Sequence, residues 1–140
     1  MGDIKIYSDG GSRGNPGPSA SAYVIFDGGK LIQKDSKYLG IGTNNQAEYN
    51  ALLMAHNWLS QNQVIFRNKN LVFYLDSELV VRQINGVYKI KASKLKKLAS
   101  NIIEIKNNFN TQVFYKAIPR EKNKLADKLV NKTLDRIPNL

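Results

Sequence analysis

Cysteine is absent from this chain, and histidine occurs once, at His56. The first absence excludes disulfides, thiolate catalysis and cysteine-based zinc sites. The second excludes a multi-histidine metal centre and argues against a Ser-His-Asp triad. Long hydrophobic runs are missing too, since no stretch approaches the ~20 apolar residues that a membrane-spanning helix needs. The opening Met1-Gly2-Asp3-Ile4-Lys5 has no signal-peptide pattern, so the expected compartment is the cytoplasm, with no membrane partner. Acids are scarce: 11 against 21 basic residues, a net charge of +10. A surplus of that sign on a small domain suits a polyanionic partner, of which nucleic acid is the usual one. Any hydrolytic chemistry must then rest on the few carboxylates. At 140 residues, 42% of them hydrophobic, the chain is long enough for one domain with a proper core. We assign that domain to 1–136 and a short tail to 137–140. No heptad seam or large apolar patch marks a dimer, so a monomer is expected.

The chain is organised around Tyr7-Ser8-Asp9-Gly10-Gly11-Ser12 and the Arg13-Gly14-Asn15-Pro16-Gly17-Pro18 that follows. The alternating Ile4–Ser8 predicts a strand that stops at Asp9. Beyond it glycine and proline are too dense to continue a strand or to start a helix. Ser21–Phe26 predicts a second strand, Asp27-Gly28-Gly29 a hairpin turn, and Leu31–Leu39 a third, more polar edge strand. Thr43-Asn44-Asn45-Gln46 supplies helix-capping residues before an amphipathic helix that runs to about Ser60. Leu71–Leu75 is apolar throughout, as in a central strand covered on both faces. A short helix capped by Ser77 follows, with Leu79, Val80 and Ile84 inward. A lysine-rich link (Lys89–Lys97) then leads into a helix with Leu95, Leu98, Ala99, Ile102 and Ile103 inward. Thr111–Tyr115 is the predicted fifth strand, Lys122–Leu134 the last helix, and Pro138 ends the fold. The order βββ-α-β-α-α-β-α implies an α/β fold. It would have a mixed five-stranded sheet, a three-strand antiparallel meander plus two parallel strands, and helices on both faces.

Asp9 and Asp76 stand at the ends of two strands that this topology makes parallel neighbours, the edge where ligands gather in open α/β sheets. Glu48 falls in what is predicted to be the first turn of the first helix, on the flank of Leu52, Ala55 and Leu59, and faces inward. Asp127 flanks the stripe of Val130 and Leu134 on the last helix. Each has a bland alternative: a turn or cap for the aspartates, the helix dipole for Glu48, a surface ion pair for Asp127. Four acids brought together without matching cations would repel and raise one another's pKa values, and divalent ions relieve that. With no Cys or His among the ligands, the hard oxygen set points to Mg²⁺ or Mn²⁺. Two such ions activate water and stabilise the leaving oxygen of a phosphodiester.

Four segments in order, Tyr7–Ser12 with Asn15–Pro18, Thr43–Tyr49, Leu75–Ser77 and Pro119–Asp127, together resemble the type 1 ribonuclease H family in its short form. The resemblance spans nearly the whole chain. It implies the ribonuclease H-like fold and metal-dependent hydrolysis of the RNA strand of an RNA–DNA hybrid, leaving 5′-phosphate and 3′-hydroxyl ends. It assigns Asp9, Glu48, Asp76 and Asp127 as the catalytic, metal-binding acids. Two Mg²⁺ ions are implied with substrate, Mn²⁺ being a substitute. By similarity Asp9 bridges both ions, Asp127 holds the one carrying the attacking water, and Glu48 and Asp76 hold the other.

A hybrid differs from DNA in the 2′-OH groups of a wide minor groove. Backbone groups at Gly10 and Gly11, and the amides of Asn15, Asn44, Asn45 and Gln46, can donate to and accept from a hydroxyl. Lys89, Lys91, Lys94, Lys96 and Lys97 are candidates for phosphate contacts without sequence preference; a merely solvated lysine face is the alternative. Two departures from the family stand out. Ala117 occupies the loop where members often carry a histidine, which predicts slower turnover. Between Asp76 and Lys94 there is no room for the basic handle helix of longer members, which predicts weaker, more salt-sensitive binding. A non-catalytic binding module and a nuclease for other substrates, such as double-stranded RNA, are the rival readings.

Overall fold

The computed structural model describes residues 2–137. Three strands come first, β1 (Asp3–Ser12), β2 (Gly17–Asp27) and β3 (Lys30–Gly42), followed by α1 (Asn44–Gln61) and β4 (Asn70–Leu75). Then come α2 (Glu78–Ile84), α3 (Ser93–Asn107), β5 (Val113–Ala117) and α4 (Lys124–Asp135). The predicted stop at Pro138, and the tail from 138 onward, lie outside the described residues. The strands form one sheet in the order β3-β2-β1-β4-β5. β1–β2 and β2–β3 are antiparallel, while β1–β4 and β4–β5 are parallel. This is the α/β architecture and the mixed five-stranded sheet that the element order implies.

Alternation along the strands sorts the side chains onto two faces. Ile4 and Ile6 of β1, Tyr23 and Ile25 of β2, and Leu71, Phe73 and Leu75 of β4 meet Tyr49, Leu52 and Leu59 of α1 and Ile102 of α3 in the main core. On the opposite face Ala20 and Ala22 of β2 pack against Val130 and Leu134 of α4. Two alanines there let the helix lie close to the sheet. None of the described helices is long and apolar enough to cross a membrane.

The largest departure from the sequence reading is at Asp9. β1 does not stop there; it runs on to Ser12, with Gly10 opposite Ser21 and Gly11 opposite Ala20. Its antiparallel partner β2 keeps supplying ladder bonds, and the first proline falls in the connection at 13–16. What ends near Asp9 is the parallel pairing with β4, whose last pair is Tyr7 and Tyr74. The crevice opens because the two strands part company, not because β1 terminates.

Smaller shifts have local causes. Gly28 and Gly29, at φ +58° and +80°, make the predicted hairpin turn. Thr43 is the N-cap of α1 and forms a reciprocal capping box with Gln46. The helix therefore starts at Asn44 and carries no acid in its first turn, so Glu48 lies one turn further in than expected. In α2, Val80 and Ile84 are buried as predicted, but Val81 takes the inward place expected of Leu79, which is 42% exposed. β5 begins at Val113 rather than Thr111, because the Thr111 hydroxyl donates to the Lys69 carbonyl and Gln112 O accepts from Leu71 N. α4 starts at Lys124 rather than Lys122, since Arg120–Lys122 form a 3₁₀ turn. In α3, Ala99 and Ile102 are fully inward and Leu95 and Leu98 partly so, with Ile105 joining the core.

His56 is structural and wholly buried. Its Nδ1 lies 2.6 Å from the Leu52 carbonyl and its Nε2 2.7 Å from the Tyr115 hydroxyl. A carbonyl only accepts, so Nδ1 carries the proton and Nε2 accepts from Tyr115. The ring stacks on Phe73 at 4.4 Å.

Candidate active site

The position of Glu48 follows from two contacts of the α1 backbone with the sheet. A Cβ on Gly10 would lie 2.2 Å from Ala47 C and 2.4 Å from Glu48 N, so only glycine lets the helix rest on β1 at this point. Ser21 Oγ, one strand over, donates to the Ala47 carbonyl at 2.6 Å. The helix is thereby held so that Glu48 turns toward Asp9. Asp76 arrives from the end of β4, just before the Ser77 cap of α2. Asp127 is in the first turn of α4, and that helix is tied down where it starts: Asn123 Nδ2 donates to the Ser8 carbonyl at 2.8 Å.

All four acids line one open cavity of about 430 Å³, together with Gly10, Gly11, Asn44 and Arg120. Asp9, Glu48 and Asp76 each bring a carboxylate oxygen within 4.8 Å of the others. Asp127 stands outside that tight set, on the wall of the same cavity, where Asn131 Nδ2 donates to its Oδ1 at 3.3 Å.

The electrostatics are those of carboxylates gathered without enough positive charge. Asp9 and Glu48 are each 6% exposed. Burial, and then the charges of Asp76 and Asp127, push the Asp9 carboxyl up to about 7, against a partial offset from its hydrogen bond with Glu48. Burial first, then Asp9 and Asp76, push Glu48 well above the usual carboxylate range, although it accepts from the Gly10 backbone. Asp76 is also raised by burial, with the Arg120 guanidinium pulling it back. Glu48 Oε2 is buried and has no hydrogen-bond partner among the described residues. An orphaned buried oxygen, facing two more carboxylates, is the environment that a hard divalent cation satisfies. The residues fit such an ion.

The predicted substrate residues divide into two groups. Asn15 Oδ1 accepts from the Asn44 amide N–H at 3.0 Å, and Asn44 Oδ1 accepts from Ser12 N at 2.9 Å. These bonds lock the loop after β1 to the start of α1. Gln46 Oε1 accepts from Thr43 N at 3.0 Å within the capping box. Asn15, Asn44, Asn45 and Gln46 line a second cavity of about 730 Å³ beside the first, whose far wall includes Lys94 at the start of α3. Lys89 and Lys91 are exposed and line neither cavity.

Three residues that sequence reasoning gave no role complete the cleft. Arg120 fell inside the Pro119–Asp127 segment but was given no role of its own. Asn131 sits one helical turn beyond Asp127, a spacing that could have flagged it. Arg13 reaches across to Asp135 at 2.5 Å, pinning the loop after β1 to α4; nothing in its local sequence points to so distant a partner.

Comparisons with known proteins agree with this geometry. A family model described as "Reverse transcriptase-like" matches residues 7–133. LC11-RNase H1, isolated from compost by a metagenomic approach, is 43% identical with a TM-score of 0.91, covering 97% of this chain and 98% of that one. The same protein has been solved in complex with an RNA/DNA hybrid, at 42% identity and TM-score 0.90, over 96% and 98% of the two chains. The ribonuclease HI of Halobacterium salinarum is 33% identical over 135 residues, 96% of this chain and 65% of that protein. A bifunctional protein of Mycobacterium tuberculosis is 33% identical over 94% of this chain. The chain spans only 35% of that relative's length.

Proposed function

The chain belongs to the type 1 ribonuclease H family, and from that premise we propose that it is an endonuclease that hydrolyses the RNA strand of RNA–DNA hybrids. The reading includes two divalent cations, Mg²⁺ or in its place Mn²⁺, and products with 5′-phosphate and 3′-hydroxyl ends. The observation that carries it is the meeting of Asp9, Glu48 and Asp76 within 4.8 Å around a buried, unpartnered carboxylate oxygen. A non-catalytic binder of polyanions has no use for such a cluster.

Asp9, Glu48 and Asp76 would hold metal, with Asp127 completing the set from the cavity wall. Bound there, the ions lower the pKa of water and neutralise charge developing on the phosphate. The remaining work belongs to the protein. The Asn15–Asn44–Ser12 bonds fix the groove beside the acids before substrate arrives, so little ordering remains to be done on binding. Gln46 spends its carbonyl on Thr43 and keeps its NH₂ group as a donor for a 2′-hydroxyl. Arg120 puts a guanidinium at the cavity wall, where the phosphate charge must be accommodated. Ala117 is the last residue of β5, paired with Leu75, rather than part of a loop; it offers no proton carrier, so turnover is expected to be slower than in members with a loop histidine.

The test uses the purified chain with labelled hybrid, double-stranded RNA and double-stranded DNA, each with Mg²⁺, Mn²⁺ or EDTA. The expected result is cation-dependent cutting of RNA in the hybrid alone, reduced by on the order of 10³-fold in Asp9→Asn. Cutting that persists in EDTA, or that survives Asp9→Asn, would overturn the assignment.

A further inference from the structure

α4 covers only part of its face of the sheet, packing on β1, β2 and β3. Toward β4 and β5 that face is less covered, with Phe114 exposed although Val72 beside it in the sheet is buried. Tyr7, Tyr74 and Phe26 are half-buried there, and Phe114 is 41% exposed. The register sets these rings among lysines in two rows. One row reads Phe26, Lys5, Val72, Phe114, and the next Val24, Tyr7, Tyr74, Lys116. Neither row contains a carboxylate. Tyr7 stacks on Tyr74 with centroids 5.0 Å apart and planes at 22°, and Phe26 meets Tyr7 edge-on at 5.9 Å. A cavity of about 520 Å³, walled by Lys5, Tyr7, Phe26, the Gly28-Gly29 turn and the single carboxylate of Asp3, opens beside them.

Rings on a partly covered sheet face, interleaved with cations, are the elements that take unpaired bases: aromatic faces stack on bases and lysines meet the phosphates. A duplex cannot use them, because its bases are stacked on one another. The face is also continuous with the active site. Asp9 follows Tyr7 two residues along β1, and Asp76 follows Tyr74 just past the end of β4, each about 7 Å further along. We propose that this face binds single-stranded nucleic acid, so that an unpaired segment adjoining the substrate duplex is held on the rings while the duplex occupies the cleft. The inference goes beyond hybrid cleavage and does not depend on it.

The experiment titrates the full chain, in EDTA, into a fluorescent oligothymidylate of about twelve nucleotides and into an abasic oligomer of the same length and charge. Stacking predicts that oligothymidylate binds about tenfold more tightly, that Phe114→Ala removes most of that gap, and that Phe114→Trp keeps it. Thermal melts establish that both variants fold. Wild-type amide shifts, which need no variant, are expected to move at Tyr7, Tyr74 and Phe114 as the oligothymidylate is added. Equal affinity for the two oligomers, a gap indifferent to Phe114, or shifts confined to the lysines of α3 would each overturn the proposal. So would a dimer that Phe114→Ala dissociates, since the face would then belong to a second copy of the chain. With metal withheld throughout, a negative result here leaves the cleavage reading untouched, and the reverse holds too.

Discussion

Glu48 and His56 project from the same helix, and both are buried against the sheet. Burial drives each toward its neutral form, Glu48 upward and His56 down to about 4. There the likeness ends. Both nitrogens of His56 have partners, and its ring lies nearly parallel to those of Phe73 and Phe109. Glu48 keeps one oxygen with no partner and has Asp9 and Asp76 beside it. A buried polar group whose bonds are all made is part of the scaffold. One left unpaired among like charges is held in place by the rest of the fold, and something outside the protein must complete it.

Exchanging each for glutamine breaks the comparison most sharply. Glu48→Gln keeps shape and hydrogen-bonding capacity but removes a charge that the metal-free protein accommodates badly. Cation-dependent cleavage is expected to fall by roughly 10²-fold or more, while stability in EDTA rises by about 1 kcal/mol. His56→Gln is expected to do the reverse. Single-turnover cleavage per folded molecule stays near wild type, and stability falls by about 2–3 kcal/mol as the stacked ring and its matched bonds are lost. Single-turnover rates beside urea unfolding in EDTA check both. If His56→Gln lost cleavage as severely as Glu48→Gln, the division between scaffold and site would be wrong.

Acid sharpens the same contrast. Above about pH 6.5 His56 is neutral in both folded and unfolded chains, and its contribution to stability is fully present. As pH falls toward about 4 the unfolded chain takes up a proton that the folded core refuses, so stability drops, by roughly 3 kcal/mol across the window. The acid cluster has the opposite slope without metal. Asp9, raised to about 7, binds its proton more readily when folded and favours the folded state as pH falls. Subtracting the His56→Gln pH profile from the wild-type one cancels the acids and isolates the histidine. A flat difference would show that His56 is not held neutral by the core.

Most of the scaffold could be read from the sequence because it depends on local rules. Strand alternation, the Gly28-Gly29 turn and the helical spacing of Ala47, Ala51, Met54, Ala55, Trp58 and Leu59 each use few neighbouring residues, although Met54 and Trp58 prove only partly buried. The same holds for three of the four acids, since alternation along β1, the end of β4 and the inner face of α1 decide where Asp9, Asp76 and Glu48 point. What escaped depends on distant partners. β1 continues past Asp9 only because β2 stays paired with it, and Gly10 matters because α1 rests on it. The Arg13–Asp135 contact joins opposite ends of the chain. His56 shows the same limit: its position along α1 said nothing of the Tyr115 hydroxyl waiting on β5.

That hydroxyl provides the smallest and most selective test. Tyr115→Phe keeps the ring that stacks near Phe73 and His56, with centroids 5.1 and 5.8 Å away, and deletes only the donor to His56 Nε2. An acceptor left unpaired in the core costs about 1–2 kcal/mol, read as a lower urea midpoint with an unchanged m-value. The deleted bond favoured the neutral imidazole, so His56 in the variant takes up its proton at a higher pH. The stability gap between Tyr115→Phe and wild type is therefore expected to narrow on acidification instead of staying constant. The extra stability conferred by Mg²⁺ should be the same in both proteins, because the hydroxyl lies on the His56 side of α1 and touches none of the acids. A gap that held steady with pH would mean the hydroxyl serves packing alone, and a changed Mg²⁺ response would mean that scaffold and site are one network.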